Sequence, residues 1–237
     1  MPQAPRVVAI LPTYNEAENI GPLCEHLMGI TPRVDVCIVD DDSPDGTGEV
    51  VQRLTRAYPT RVFCECRTRR FGRGNAVMHG FRFALAHGYE YAIEMDADFS
   101  HDPAAIPALL AAAMDADLVV GSRHLPGGGF RGWNWRRRAV HAVACWYARG
   151  LFGMPTTDHT NGFRCYRVAC LEQLPLEAAM ASGFVGQTMR AVLFHAHGLR
   201  IREIPVIFHE RRAGRSKMSV GEALRGAWAL LKYRCIQ

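Results

Sequence analysis

Apolar residues in the first half of the chain fall into short, nearly continuous runs at 7–11, 34–39, 62–66, 91–95 and 118–120. Runs of this length, rich in Val and Ile, have the pattern of strands buried on both faces. Between them, apolar positions recur at helical spacing over 17–28, 46–56, 74–86 and 103–114. Strand and helix in alternation predict an α/β fold with a mostly parallel central sheet and crossover helices. The second half is less regular. Segments 137–152 and 220–233 read as amphipathic helices, Val140, Val143, Ala144, Tyr147 and Leu151 sharing a face in the first. In the second, Val220, Leu224, Ala227, Trp228 and Leu231 do the same. These faces suit packing on the sheet, and their Arg, Trp and Tyr content equally suits a membrane interface. A strand over 201–208 lies between them. The run PGGGFRG at 126–132 is read as a mobile loop inside one domain spanning 1–237, because neither half looks complete alone.

Charge changes the picture more than composition does. The chain has 237 residues, is 49% hydrophobic and 22% charged, and carries a formal charge of +5. That excludes a mainly disordered chain. Residues 1–130 hold 11 basic and 17 acidic side chains (−6), and residues 131–237 hold 17 basic and 6 acidic (+11). No apolar run reaches the roughly 18 residues of a membrane-spanning helix. The N-terminus lacks a signal-peptide layout, so a cytoplasmic location is expected. The eight cysteines show no metal-ligand spacing and are expected to be reduced thiols packed as small hydrophobes.

In an open α/β sheet, ligands bind beyond the carboxyl ends of the strands. Three polar or acidic clusters follow predicted strands: Pro12 to Glu16, Asp40 to Thr47, and Asp96-Ala97-Asp98. Asp45 or Ser43 also suits a helix cap. Capping accounts for one carboxylate of the three clusters. Asp96 and Asp98 sit at i and i+2 of an extended chain, so both can reach one divalent ion. Mg2+ or Mn2+ held in this way completes its shell with water and substrate phosphates, which suits a nucleotide diphosphate. The histidines, scattered along the chain, read as surface or packed residues; His101, beside the DxD pair, is the one with a claim to touch substrate.

With these residues in place, the chain resembles the family 2 glycosyltransferases, and within them the polyprenyl-phosphate (dolichol-phosphate) mannose synthases. The resemblance runs from Leu11 to Ser219 through LPTYNEAENI, IVDDDSPDGTGEV, RTRRFGRGNAVMHGF, EMDADFSHDP, VVGSR, WNWRRR, NGFRCYR and FHERRAGRSKMS. It implies a GT-A fold and inverting transfer of mannose from GDP-mannose to a polyprenyl monophosphate. A UDP-sugar donor such as UDP-glucose, or a non-catalytic subunit of a membrane glycosylation complex, are the alternatives. By the resemblance, Pro12, Tyr14 and Glu16 hold the nucleoside, and Asp41, with Val39 and Asp40 beside it, reads the base. Asp96 and Asp98 flank Ala97 as ligands of Mg2+ or Mn2+. Arg123, Arg211 and Lys217 surround the donor and acceptor phosphates, with Arg137 as a further acceptor-phosphate position. The implied partners are a nucleotide sugar, a polyprenyl phosphate, the cytoplasmic face of a membrane and a small membrane-anchoring subunit, with no nucleic acid.

Four positions depart from the family pattern: Met189 stands where an acidic residue is usual, Asn161 lies in the DxTSGFR segment, Ser100 follows the metal pair, and His141 replaces a serine.

Overall fold

The computed structural model describes residues 4–176 and 184–210, together with 228, 230, 231 and 234. Five strands and four helices alternate through the first half: β1 (Val7–Thr13), α1 (Ala17–Met28), β2 (Val34–Asp40), α2 (Thr47–Ala57), β3 (Val62–Cys64), α3 (Arg73–Ala86), β4 (Tyr91–Glu94), α4 (Ile106–Ala113) and β5 (Leu118–Ser122). A 3-10 turn at Pro103–Ala105 leads into α4, capped by the Asp102 side chain on the Ala104 amide at 2.9 Å. Then come β6 (Gly129–Phe130), α5 (Trp135–Phe152), β7 (Arg164–Arg167), α6 (Val168–Glu172), α7 (Phe184–Ala196), β8 (Ile201–Pro205) and β9 (Ile207–Phe208).

Seven strands form one sheet in the order β3-β2-β1-β4-β7-β5-β8, parallel except for β7, which runs antiparallel between β4 and β5. The largely buried strands β1, β2 and β4 carry the continuous apolar runs, and helices cover both faces. One cluster joins α3, α6 and α7 to the sheet, and the other joins α1, α2 and α4. The expected mostly parallel sheet is therefore present, and the three polar clusters emerge at one edge.

Several expectations need correction. The strand over 201–208 is two strands that break at Val206, because β8 pairs with β5 and β9 with β6. That second pairing ties down 126–132, which is therefore an anchored segment. In α5 the expected apolar face is split: Val140 and Val143 are 50% and 63% exposed, Ala144, Tyr147 and Leu151 are half-buried, and His141, Cys145 and Ala148 are buried. His141 is the polar residue on the inward side, where Arg123 and Asp158 meet it. Cys64 and Cys66 form a disulfide with a Cα separation of 5.7 Å; β3 ends at Cys64, so the chain bends there instead of continuing extended. Cys24, Cys37, Cys145, Cys165 and Cys170 are free and buried, as expected. The helix at 220–233 and Cys235 lie almost wholly outside the described residues. Among the described residues, no helix is long and apolar enough to cross a membrane.

Candidate active site

The loops after β1, β2 and β4 each contain one non-glycine residue in the left-handed region: Asn15 (φ 62°), Asp42 (φ 56°) and Phe99 (φ 61°). Asn and Asp adopt this conformation readily, whereas a bulky Phe pays for it. The loops are knitted together rather than merely adjacent. Asp40 accepts from the Thr13 hydroxyl and the Ser43 hydroxyl, both at 2.7 Å. Asp45 accepts from the amides of Ala17 and Thr47 at 3.1 and 3.0 Å, starting α1 and α2 together. The capping role therefore falls to Asp45, and Asp40 is structural. Asp41 is the carboxylate of this cluster that turns to the cavity.

That cavity holds about 140 Å³. Pro12, Tyr14, Glu16, Asp41, Asp96, Ala97 and Asp98 line it, so seven of the expected donor-site residues meet at one place. Val39 does not line it; it is buried in the core beneath. Asp98 is 1% exposed and accepts the Ser100 amide at 3.0 Å. Asp96 is more open, its side chain 25% exposed. The cavity is smaller than the roughly 300–1,000 Å³ usual for enclosed ligands, because arginines from the loop after β3 fill part of it. Arg67 pairs with Asp41, and the Gly72 amide donates to the same carboxylate at 2.7 Å. The Arg70 guanidinium lies 4.0 Å from the centre of the Tyr14 ring. Arg73 reaches Asp96 and Glu94, each at 2.7 Å. Sequence reasoning missed these three. The signal that finds them is topological: β3 is also parallel, so its trailing loop opens on the same edge.

His101 is a brace rather than a substrate contact. It is 2% exposed, accepts the Asp96 amide on Nδ1 at 3.0 Å and donates from Nε2 to Asn161 at 2.9 Å. Asn161 in turn donates to the Gly121 carbonyl at 2.5 Å. This chain of bonds fixes the DxD segment against the end of β5, two residues before Arg123. The departure at Asn161 is thus filled by a structural bond.

Arg123 is 6% exposed, and its guanidinium forks onto Asp158, Nε to Oδ2 at 2.7 Å and Nη2 to Oδ1 at 2.8 Å. Nη2 also donates to His141 Nε2 at 2.6 Å. An arginine can only donate, so this nitrogen of His141 accepts, and Nδ1 carries the proton toward His124 Nε2 at 3.1 Å. Burial, followed by the Arg123 charge, holds His141 neutral with a pKa down to about 3. Burial opposes the Asp158 charge, but Arg123 outweighs it and keeps that carboxyl well below its ordinary value. The donor atoms of His124, His141, Cys145 and Asp158 lie within 4.8 Å of one another, as a metal site requires. Arg123 fills that cluster and bonds both Asp158 oxygens, so the place a cation would take is already held by its guanidinium. Arg137 stacks on Trp133, 3.8 Å from the ring centre. Arg211 and Lys217 lie outside the described residues.

Met189 is 7% exposed among apolar neighbours, so no charge is placed there. The charge in this region belongs to its neighbour: Arg190 donates to both Glu94 oxygens at 2.9 and 3.0 Å, and Tyr166 adds a third bond at 2.9 Å.

The buried neutral histidine carries a stability prediction. The pKa of His141 in the fold lies below its unfolded value of 6.5, so between pH 6.5 and 3 the unfolded chain binds a proton that the fold refuses. Stability therefore rises with pH in this window and falls on acidification. At pH 5 the loss from this group is about 2 kcal/mol. Urea unfolding at pH 7 and pH 5 should show that loss in the wild type and a smaller one in His141→Asn. Equal losses in both would remove His141 as the cause.

A family model described as glycosyl transferase family 2 matches residues 8–174. Polyprenol monophosphomannose synthase of Mycolicibacterium smegmatis is 42% identical over 94% of this chain and 84% of its own length. Undecaprenyl-phosphate mannosyltransferase of Micrococcus luteus is 41% identical over 92% of this chain and 91% of its own. Among solved structures, glucosyl-3-phosphoglycerate synthase of Mycobacterium tuberculosis, in complex with Mn2+, UDP and glucosyl-3-phosphoglycerate, superposes with a TM-score of 0.67. It is 21% identical over 98% of this chain and 80% of that one. At that identity the likeness establishes the GT-A-like fold.

Proposed function

Because the chain belongs to glycosyl transferase family 2, we propose that it moves mannose from GDP-mannose to a polyprenyl monophosphate, giving the β-linked lipid phosphate sugar. The names of both relatives support the mannosyl group and the lipid-phosphate acceptor. The observation that carries the reading is the pairing of two sites on one sheet edge. A carboxylate-lined cavity around Asp96 and Asp98 stands beside the buried, Asp158-anchored Arg123, the two joined through His101 and Asn161.

Asp96 and Asp98 offer hard oxygen donors that line one cavity, so the pair fits a divalent ion. Mg2+ or Mn2+ bound there would neutralise the departing diphosphate. The residues of the chain do the rest. Tyr14, Glu16 and Asp41 hold the nucleoside, and Arg123 and Arg137, with Arg211 and Lys217, meet the phosphates. A phosphate monoester has a second pKa near 6 and is largely a dianion at neutral pH. Its oxygen attacks the anomeric carbon as the bond from that carbon to the diphosphate oxygen breaks, the bonding pair leaving with GDP. No proton is removed in that step, so no side chain is assigned as a base. One in-line displacement inverts the α-linked donor to a β-linked product.

The acceptor is a lipid, and α5 turns apolar residues outward: Trp135, Trp146 and Val143 are 73%, 76% and 63% exposed, with Arg136, Arg138 and Arg149 beside them. Indole rings and arginines together suit a membrane interface bearing anionic lipid. We place the chain peripherally on such a surface.

One experiment tests the whole reading. Purified protein is given labelled GDP-mannose, UDP-glucose or other nucleotide sugars, with Mg2+ or Mn2+ and polyprenyl phosphate. Counts in the organic phase should come from GDP-mannose. Counts from a UDP-sugar instead would overturn the donor, and nucleotide binding with no transfer would favour a non-catalytic subunit. A Trp135→Glu, Trp146→Glu double variant should keep transfer to a short, water-soluble acceptor and lose most of it to long-chain acceptor in vesicles.

A further inference from the structure

Arg73 occupies an unusual place. It opens α3 and turns its guanidinium into the donor cavity, where Nε and Nη2 contact Asp96 Oδ1 at 2.9 and 2.7 Å and Nη1 contacts Glu94 at 2.7 Å. Burial works against its charge, but Asp96 and Glu94 outweigh burial and hold the guanidinium above its ordinary value. The backbone closes over it as well. A Cβ on Gly162 would lie 2.5 Å from Arg73 Nη2 and 2.9 Å from Gln187 Nε2, so glycine at 162 leaves the space the guanidinium uses. Glu94 does not depend on Arg73 for its charge balance, because Arg190 and Tyr166 already bind it. Arg73 can therefore give up Asp96 and keep one partner.

We infer that Arg73 is a resident counter-cation that competes with the divalent ion for Asp96 and so weakens metal binding to the nucleotide-free protein. The inference rests on the assignment of Asp96 and Asp98 as the metal pair. The physical ground is direct. A full positive charge bonded to one metal ligand blocks an oxygen and repels a dication in a partly buried site, where charges interact several times more strongly than in water. When the ion takes Asp96, the guanidinium retains Glu94 through Nη1, so the exchange needs a swing of one side chain and no rearrangement of α3. Arg73 is thus a positioning residue that sets metal affinity, and it bonds neither reacting group.

The test is a titration of the full chain with Mn2+ alone, free ion being followed by electron paramagnetic resonance, on wild type, Arg73→Gln, Arg73→Lys and Asp98→Ala. Arg73→Gln should bind Mn2+ about tenfold more tightly than wild type. Arg73→Lys, which keeps the charge but lacks the planar fork that contacts Asp96 twice and Glu94 once, should fall between them. Thermal melts establish which variants are folded, and the comparison holds for either Arg73 variant that is. Asp98→Ala should lose the site. Unchanged or weaker binding in the folded Arg73 variants, with binding lost in Asp98→Ala, overturns the role of Arg73 and leaves the metal pair standing. Binding retained by Asp98→Ala overturns the metal pair and this inference with it.

Discussion

Asp98→Asn is expected to lower mannosyl transfer by about a thousandfold while leaving the fold intact. The two halves of that statement have separate causes. Asp98 is 1% exposed and its Oδ1 accepts the Ser100 amide at 3.0 Å. An asparagine carbonyl can accept the same bond in the same volume, so the turn after β4 keeps its geometry. What disappears is a negative charge aimed into a cavity that also contains Asp96 and Asp41. Removing one such carboxylate relieves repulsion in the free protein, so the melting temperature should hold or rise slightly. Catalysis has no such relief: stabilisation of a leaving group by a preorganised charge is commonly worth a hundred- to a thousandfold per group, and loss of the proposed metal ligand would remove the ion's contribution as well. The measurement is organic-phase counts from labelled GDP-mannose, beside a melting curve. Transfer near the wild-type rate in a folded variant would place the chemistry elsewhere.

How much of this was legible in the sequence depends on whether a residue's partners are near it in the chain. The parallel strands announce themselves because burial on both faces forces continuous apolar runs, and the three polar clusters follow because strand ends at the carboxyl edge must carry the chemistry. Asp96, Asp98 and Asp41 could be named on that ground. β7 could not: Arg164–Arg167 reads RCYR, and Arg164 is fully buried only because the backbone carbonyls of His159, Asn161 and Gln187 accept from it. Nothing in that tetrapeptide signals a central strand. α5 departs from its pattern for a related reason. Its apolar period is real, but the face that turns inward is the one carrying His141, drawn there by Arg123 and Asp158. The arginines at 67, 70 and 73 look like a solvated basic run until Asp41, Tyr14 and Asp96 are brought opposite them. Hydrophobic patterning records burial; it does not record which polar groups are buried together.

Arg123 is where that distinction has its largest energetic consequence. Arg123→Ala should lose both activity and several kcal/mol of stability, and the two losses can be separated. In the wild type, Asp158 is fully buried and takes two side-chain bonds and the backbone amide bond at 3.0 Å from Arg123. Truncating the arginine leaves the amide bonds from residues 123, 160 and 161 but removes the cation that balances a buried carboxylate, a situation that typically costs about 3–5 kcal/mol. The fold answers by protonating Asp158 or His141, so the deficit should shrink on mild acidification, opposite in sign to the acid loss expected of the wild type. Adding Asp158→Asn removes the stranded charge, and the double variant should recover most of the stability at pH 7. Transfer should not recover, because the cation proposed to meet the phosphates is still missing and a neutral amide at 158 supplies none. Urea unfolding and the labelled-mannose assay on both single variants and the double variant resolve the two effects. If the double variant regained transfer along with stability, Arg123 would be a scaffold for the loop at 158–161 and not a phosphate ligand.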